Sequence, residues 1–198
     1  MHYIFLHPVF GDDEVKILVA CEFSGTVRDA FIAAGHDAIS CDLLPTEKPG
    51  PHIQGDVTPL LREPWDLVIA HPPCTYLANS GVRWLHEQPG RWDRMRKAAA
   101  FFIACLDANA PKVAVENPVM HSHAGIRKPD FTVQPWQFGH PETKRACFWT
   151  VNLPPLAPTD AVDGRDARVH KMSPSADRWK KRSITYPGIA YAMAEQWG

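Results

Sequence analysis

Cys74 closes the tetrapeptide His71-Pro72-Pro73-Cys74. Two prolines fix φ and stiffen the backbone. A thiol placed there is held out of the core and presented to whatever binds beyond it. Once deprotonated, it is a strong nucleophile. The bland alternative is a buried, inert cysteine. Zinc ligation by His71, Cys74, His121 and His123 is a further alternative. Those residues lack the paired spacing of a structural zinc site, and no metal is expected. A second chemical group stands in Val115-Glu116-Asn117-Pro118. The Glu116 carboxyl can donate or share a proton with a substrate, or it can simply cap a helix.

A third cluster has the types of a ligand-binding edge. Glu22-Phe23-Ser24-Gly25 forms a turn whose glycine lets the backbone approach a ligand closely. It is not a G-x-G-x-x-G run, and no P-loop lysine follows it. Asp42 stands where an acid can accept bonds from ribose hydroxyls. Asp56, in Gly55-Asp56-Val57, is a third polar residue of this kind. Taken singly they read as turns and caps; together they resemble an adenosine site.

These residues fall at the ends of apolar runs. Val15–Cys21 is β-branched and continuous, as in a buried strand. Thr26–Ala34 carries Val27, Ala30, Phe31 and Ala34 at helical spacing and is closed by Gly35. Asp37–Asp42, Asp66–Ala70, Lys112–Val115 and Ala146–Val151 read as further strands. Arg91–Asp107 and Tyr186–Trp197 read as helices, and Pro45–Gly55 and Pro154–Arg182 as loops. Strands alternating with helices predict a doubly wound α/β fold with a parallel sheet. Ligands bind such sheets at the carboxyl ends of the strands, and Glu22–Gly25, Asp42, Cys74 and Glu116-Asn117 all fall there. That coincidence is the main argument for an enzyme.

The composition sets the limits. The chain has 198 residues, 45% hydrophobic and 22% charged, with a net charge of −1. That suits one globular domain and excludes wholesale disorder and a purely electrostatic nucleic-acid binder. No apolar run approaches the roughly 18 residues of a membrane span. Residues 1–14 show no signal-peptide pattern and are set apart as an N-terminal extension, with the single domain over 15–198. The cysteine count of five is odd and the spacing wide, which points to a reducing cytoplasm.

In order, the chain reads EFSG, Asp42, GDV, HPPC, VENP and HPETKRACFW. This resembles the cytosine-C5 DNA methyltransferases, and among them the short, phage-type members. The resemblance implies a Rossmann-like, S-adenosylmethionine-dependent methyltransferase sheet. It implies that Phe23, Ser24 and Gly25 sit against S-adenosylmethionine, with Phe23 on the adenine. Asp42 would bind the ribose and Asp56 the adenine amino group, with Glu22, Leu43, His71 and Pro72 completing the cofactor set. Cys74 would be the nucleophile, positioned by Pro73. Glu116 would hold N3 of the cytosine, and Asn117 would brace the loop. Lys144, or else Arg145, would stand where the family has an arginine facing the base O2. The substrate would be DNA, single-stranded or with its cytosine flipped from the duplex. Amino-methyltransferases of similar architecture use an Asp/Asn-Pro-Pro-aromatic loop. His71 and Cys74 replace its first and last positions, and a thiol is of no use to an exocyclic amine.

The sequence also departs from the family. Where a large target-recognition region is usual, Asn152–Arg182 offers roughly thirty residues, too few for a second domain. Its Arg165, Arg168, Arg178, Lys180 and Lys181 would contact phosphate, and Trp179 would stack a base. The bland alternative is a solvated charged loop. Thr185–Ala190 takes the place of a terminal Gly-Asn segment and is expected beside the cofactor. The same fold could instead act on RNA or a free nucleotide, or use a modified cofactor. It could also persist as an inactive nucleic-acid-binding homologue.

Overall fold

The computed structural model describes residues 14–198. The N-terminal extension expected over residues 1–14 lies, except for Glu14, outside the described residues. In chain order the elements are β1 (Lys16–Ala20), α1 (Thr26–Ala33), β2 (Asp37–Asp42), β3 (His52–Gln54), β4 (Leu67–Ala70), α2 (Trp84–Glu87), α3 (Arg91–Leu106), β5 (Lys112–Asn117), β6 (Phe131–Val133), β7 (Ala146–Val151), α4 (Arg168–Lys171), α5 (Arg178–Ser183) and α6 (Pro187–Trp197). Seven strands form one sheet in the order β3-β2-β1-β4-β5-β7-β6.

Alternation along the strands builds two cores. Ile17, Val19, Leu67, Ile69, Ala114 and Phe148 point to one face, against Val27 and Phe31 of α1 and Met193 and Trp197 of α6. Leu18, Ala20, Val68, Ala70, Val113, Val115 and Trp149 point to the other, against Met95, Phe102 and Cys105 of α3. Strands buried on both faces must be apolar throughout, which is why VKILVAC and DLVIA read as continuous runs. Burying one such Leu or Ile fully contributes about 1.5–3 kcal/mol. The product is a doubly wound, Rossmann-like α/β sheet.

Three expectations need correction. The sheet is mixed rather than parallel, because β7 runs antiparallel to both β5 and β6. A parallel return needs a crossover, usually an α-helix, and residues 118–145 hold none. The strands β3 and β6 fall where no strand was expected. Each has three residues, too short to show a period of two. Finally, the stretch read as a loop over Pro154–Arg182 contains α4 and α5. Both are short and highly charged, so neither carries an apolar stripe. Each is held by a single apolar anchor, Val169, which is buried, or Trp179, which meets Phe23.

Candidate active site

Parallel register sets the site. Cys41, Ala20, Ala70 and Val115 lie in one row across β2, β1, β4 and β5. The next residue on each strand is therefore Asp42, Cys21, His71 or Glu116, side by side at the carboxyl edge. The order of the sheet reverses between β1 and β4, which is where ligands bind in such folds.

The chemical end grows from β4 and β5. One step beyond Ala70↔Val115, His71 Nδ1 lies 3.4 Å from Glu116 Oε2. One step further, Asn117 Nδ2 donates to the Pro72 carbonyl at 2.7 Å. This bond joins the two strand ends just before the exposed Pro73 and Cys74. Cys74 keeps an exposed surface, but the protein atoms crowded around its thiol desolvate it and push it above its ordinary range, and the Glu116 carboxylate adds to this. Arg182 and Lys144 pull it back down. Burial also lowers the Lys144 ammonium, against the opposing pull of Glu116 and Cys74. The four groups therefore share one electrostatic neighbourhood. Burial likewise holds the Cys41 and Cys147 thiols at about 11 and Cys105 at about 12, with no cation among the described residues near enough to Cys41 or Cys105 to pull them down.

Lys144 rather than Arg145 belongs to this neighbourhood. Lys144 lines a small cavity with Glu116, Phe148, Thr185 and Tyr186, and its Nζ donates to the Ile184 carbonyl at 3.1 Å. Arg145 is exposed. Thr185 and Tyr186 therefore stand at the chemical end, where the sequence places them by the cofactor. Tyr186 Oη donates to Glu142 Oε2 at 2.6 Å.

At the cofactor end, the buried Glu22 carboxylate is committed to the protein. It accepts the Val27 amide at 2.7 Å, the Arg28 amide at 3.2 Å and the Ser24 hydroxyl at 3.1 Å. It thus caps α1. Gly25, at φ 70°, makes the left-handed turn this cap requires. Asp42 Oδ1 accepts the Leu44 amide at 2.9 Å, and Leu43 beside it is 74% exposed. Asp56 Oδ1 accepts the Thr58 amide and hydroxyl at 2.9 and 2.8 Å, which holds its carboxyl below the usual range. Phe23 is buried. The edge of Trp179 packs on it at 6.5 Å, and Lys180 Nζ stands 5.0 Å from its centre.

The basic residues of the 152–182 insert divide. Arg165 lies over the Trp136 ring at 3.8 Å, and Arg168 pairs with Glu142 at 2.8 Å. Lys180 pairs with Glu47 at 2.7 Å. Lys181 is exposed. Arg178, Trp179 and Arg182 instead line a groove with Pro174 and Ser175. Helix α5 thus spans from Phe23 to the neighbourhood of Cys74.

Neither a protein-family model nor a curated protein sequence matches the chain. Among solved structures it is similar to one from E. coli, a candidate DNA modification methyltransferase encoded within a prophage. The identity is 16% and the TM-score 0.49, over 75% of this chain and 52% of that one. The chain spans about half the length of that structure.

Sequence reasoning missed three participants. The His71–Glu116 contact was legible only with the β4–β5 register in hand. Arg182 sits in the cluster Arg178–Arg182, but nothing in the sequence says that it reaches the thiol's surroundings. Arg28 reads as a surface residue of an amphipathic helix. It is in fact fully buried and donates to the Lys48, Pro49 and Pro51 carbonyls, holding the loop that follows β2. Among the described residues no group of three or more His, Cys, Asp and Glu could hold a metal ion.

Proposed function

We propose that this chain is an S-adenosylmethionine-dependent methyltransferase acting on cytosine C5 in DNA, with Cys74 as its nucleophile. One observation carries the proposal. The thiol of Cys74, four residues beyond the end of β4, shares an electrostatic neighbourhood with Lys144, Arg182 and the carboxyl of Glu116, which the adjacent strand β5 carries at its end.

The cofactor edge fits an adenosine cofactor without phosphates. The amides that open α1 are already bonded to Glu22, so the helix start offers no cradle for a phosphate. A buried carboxylate there suits a positively charged ligand. Asp42 would hold the ribose, and the exposed Leu43 would cover the adenine, with Asp56 at its amino group. S-adenosylmethionine, when bound, supplies a methyl group made electrophilic by its sulfonium.

The chain's own residues do the rest. Cys74, as thiolate, forms a bond from Sγ to cytosine C6. The C5–C6 π electrons move toward C5, making that carbon nucleophilic. Glu116 hydrogen bonds to N3 and gives up its proton as N3 becomes basic. Pro72 and Pro73 keep the thiol in place, braced by Asn117. Once C5 carries the methyl group, solvent water takes the C5 proton, the C5–H electron pair forms the C5–C6 double bond, the Sγ–C6 bond breaks with its pair leaving on Cys74, and the N3 proton goes back to Glu116. The base must leave the stack for Sγ to reach C6. Arg178, Trp179 and Arg182 would hold the strand beside it.

The test is nucleoside mass spectrometry of DNA and RNA from cells expressing the protein or Cys74→Ala. The expected result is a gain of 5-methylcytosine in DNA that disappears in the variant. Methylation surviving in the variant removes Cys74 from the mechanism. A gain confined to RNA reassigns the substrate, and a heavier cytosine reassigns the cofactor. No modified base at all leaves a nucleic-acid-binding protein without chemistry.

A further inference from the structure

His71, which the resemblance places in the cofactor set, contacts the chemical end. Its side chain is nearly buried, and Nδ1 lies 3.4 Å from Glu116 Oε2. Its backbone amide donates to the Ala20 carbonyl at 2.9 Å, so the residue extends the β1–β4 ladder and its ring is fixed at the strand end. The position follows from the register of two central strands. The other ring nitrogen, Nε2, is buried without a hydrogen-bond partner among the described residues. Facing Glu116 there are also Cys74, Lys144 and Cys147, each near enough to act on its charge or respond to it.

A carboxyl that must serve N3 of a cytosine needs one oxygen for the base and a fixed orientation for the other. The imidazole meets that need if its proton is on Nδ1. A donor at Nδ1 satisfies Oε2, and Nε2 is then a dry acceptor, which costs less than a dry donor in a charged ring. We infer that His71 is a positioning residue for Glu116: its Nδ1–H holds Oε2, leaves Oε1 to the base, and stabilises the carboxylate formed when N3 takes the proton. No proton leaves the imidazole in this cycle. The proton moves from Glu116 to N3 as the Sγ–C6 bond forms and returns when that bond breaks. The inference rests on the methyltransferase reading above.

Three variants test it in the full chain, with methyl transfer to a cytosine-containing oligonucleotide as the readout. His71→Asn keeps an N–H donor near the place of Nδ1, whereas His71→Leu keeps the volume and removes the donor. Leu is expected to lower kcat on the order of 100-fold, as the loss of support for an acid/base group does. KM for DNA and the Kd for S-adenosylmethionine should stay within about threefold, and Asn should recover most of the rate. In a Glu116→Gln background, His71→Leu should add less than about threefold, since a residue acting through another loses its effect when that partner is gone. Equal losses in Asn and Leu overturn the inference, as does a full additional loss in the Gln background. A change confined to cofactor Kd returns His71 to the cofactor site. A parent protein without any methyl transfer defeats the underlying reading instead, so the two failures are distinct. Thermal unfolding of both His71 variants separates a folding defect from a loss of positioning.

Discussion

On the proposed function, Cys74 would be a nucleophile held in reserve. Its thiol is pushed up by desolvation and by the Glu116 carboxylate, and only partly relieved by Arg182 and Lys144. At neutral pH the thiolate is therefore the minor form, and the rate should follow it. With a raised pKa the sign is fixed: single-turnover methyl transfer is expected to climb about tenfold per pH unit through the neutral range and to level off only above the ordinary thiol range. A flat profile between neutral and mildly alkaline pH would mean either that Cys74 is already ionised or that another step limits the rate. Mass-spectrometric alkylation with iodoacetamide gives a direct check, because Cys41, Cys105 and Cys147 are buried and burial holds their thiols high.

Among the elements, α1 and α5 determine the shape of the cofactor edge. Glu22, which the resemblance places by the ligand, also caps α1 through the Val27 and Arg28 amides. Arg28, one turn into the same helix, is buried and donates to Asp29, to the Ser40 and Thr46 hydroxyls and to three loop carbonyls. A methionine there would keep much of the stem's packing and lose every one of those bonds. Arg28→Met is expected to lower stability by about 1–3 kcal/mol, the usual range for leaving buried polar groups unpaired. The measurement is the urea midpoint at unchanged m. An unchanged midpoint would show that water replaces the guanidinium and that the loop after β2 stands without it. Helix α5 owes its position to Trp179 and Lys180 on one side and to the Ile184–Lys144 bond beyond its end on the other.

For the whole molecule, a net charge of −1 gives no general attraction to DNA. On the proposed function, affinity would have to come from a local patch, and the two arginines of the α5 groove are the candidates for it. Lys180 and Arg168 are spent on Glu47 and Glu142. Neutralising Arg178 and Arg182 together with glutamine should weaken binding of single-stranded DNA and flatten the slope of log K against log salt. Each phosphate contact carries a slope of about 0.7 on a single strand, so a loss of about 1.4 is expected from the pair. The exposed Lys97→Gln on α3 serves as the control. Titration of fluorescent oligonucleotides across salt concentrations reads both. An unchanged slope in the double variant would remove the groove from the DNA path.

The sequence determined the central strands, the three long helices and which polar residues fall at the strand ends as candidate chemical groups. Those strands are buried on both faces, and helices with one apolar stripe show their period in the residues themselves. Proline-flanked Cys74 and Glu116-Asn117 were legible for the same local reason: they punctuate the ends of apolar runs. Register and partnership were not legible, because they depend on residues distant in the chain. That His71 meets Glu116, that Asn117 bonds to Pro72, that Glu22 serves α1 and that Arg28 lies buried all follow from which strands lie side by side and in what alignment. Short pieces such as β3, β6, α4 and α5 carry too few residues for a period. Their conformations come from contacts with the sheet, and only the folded chain decides those.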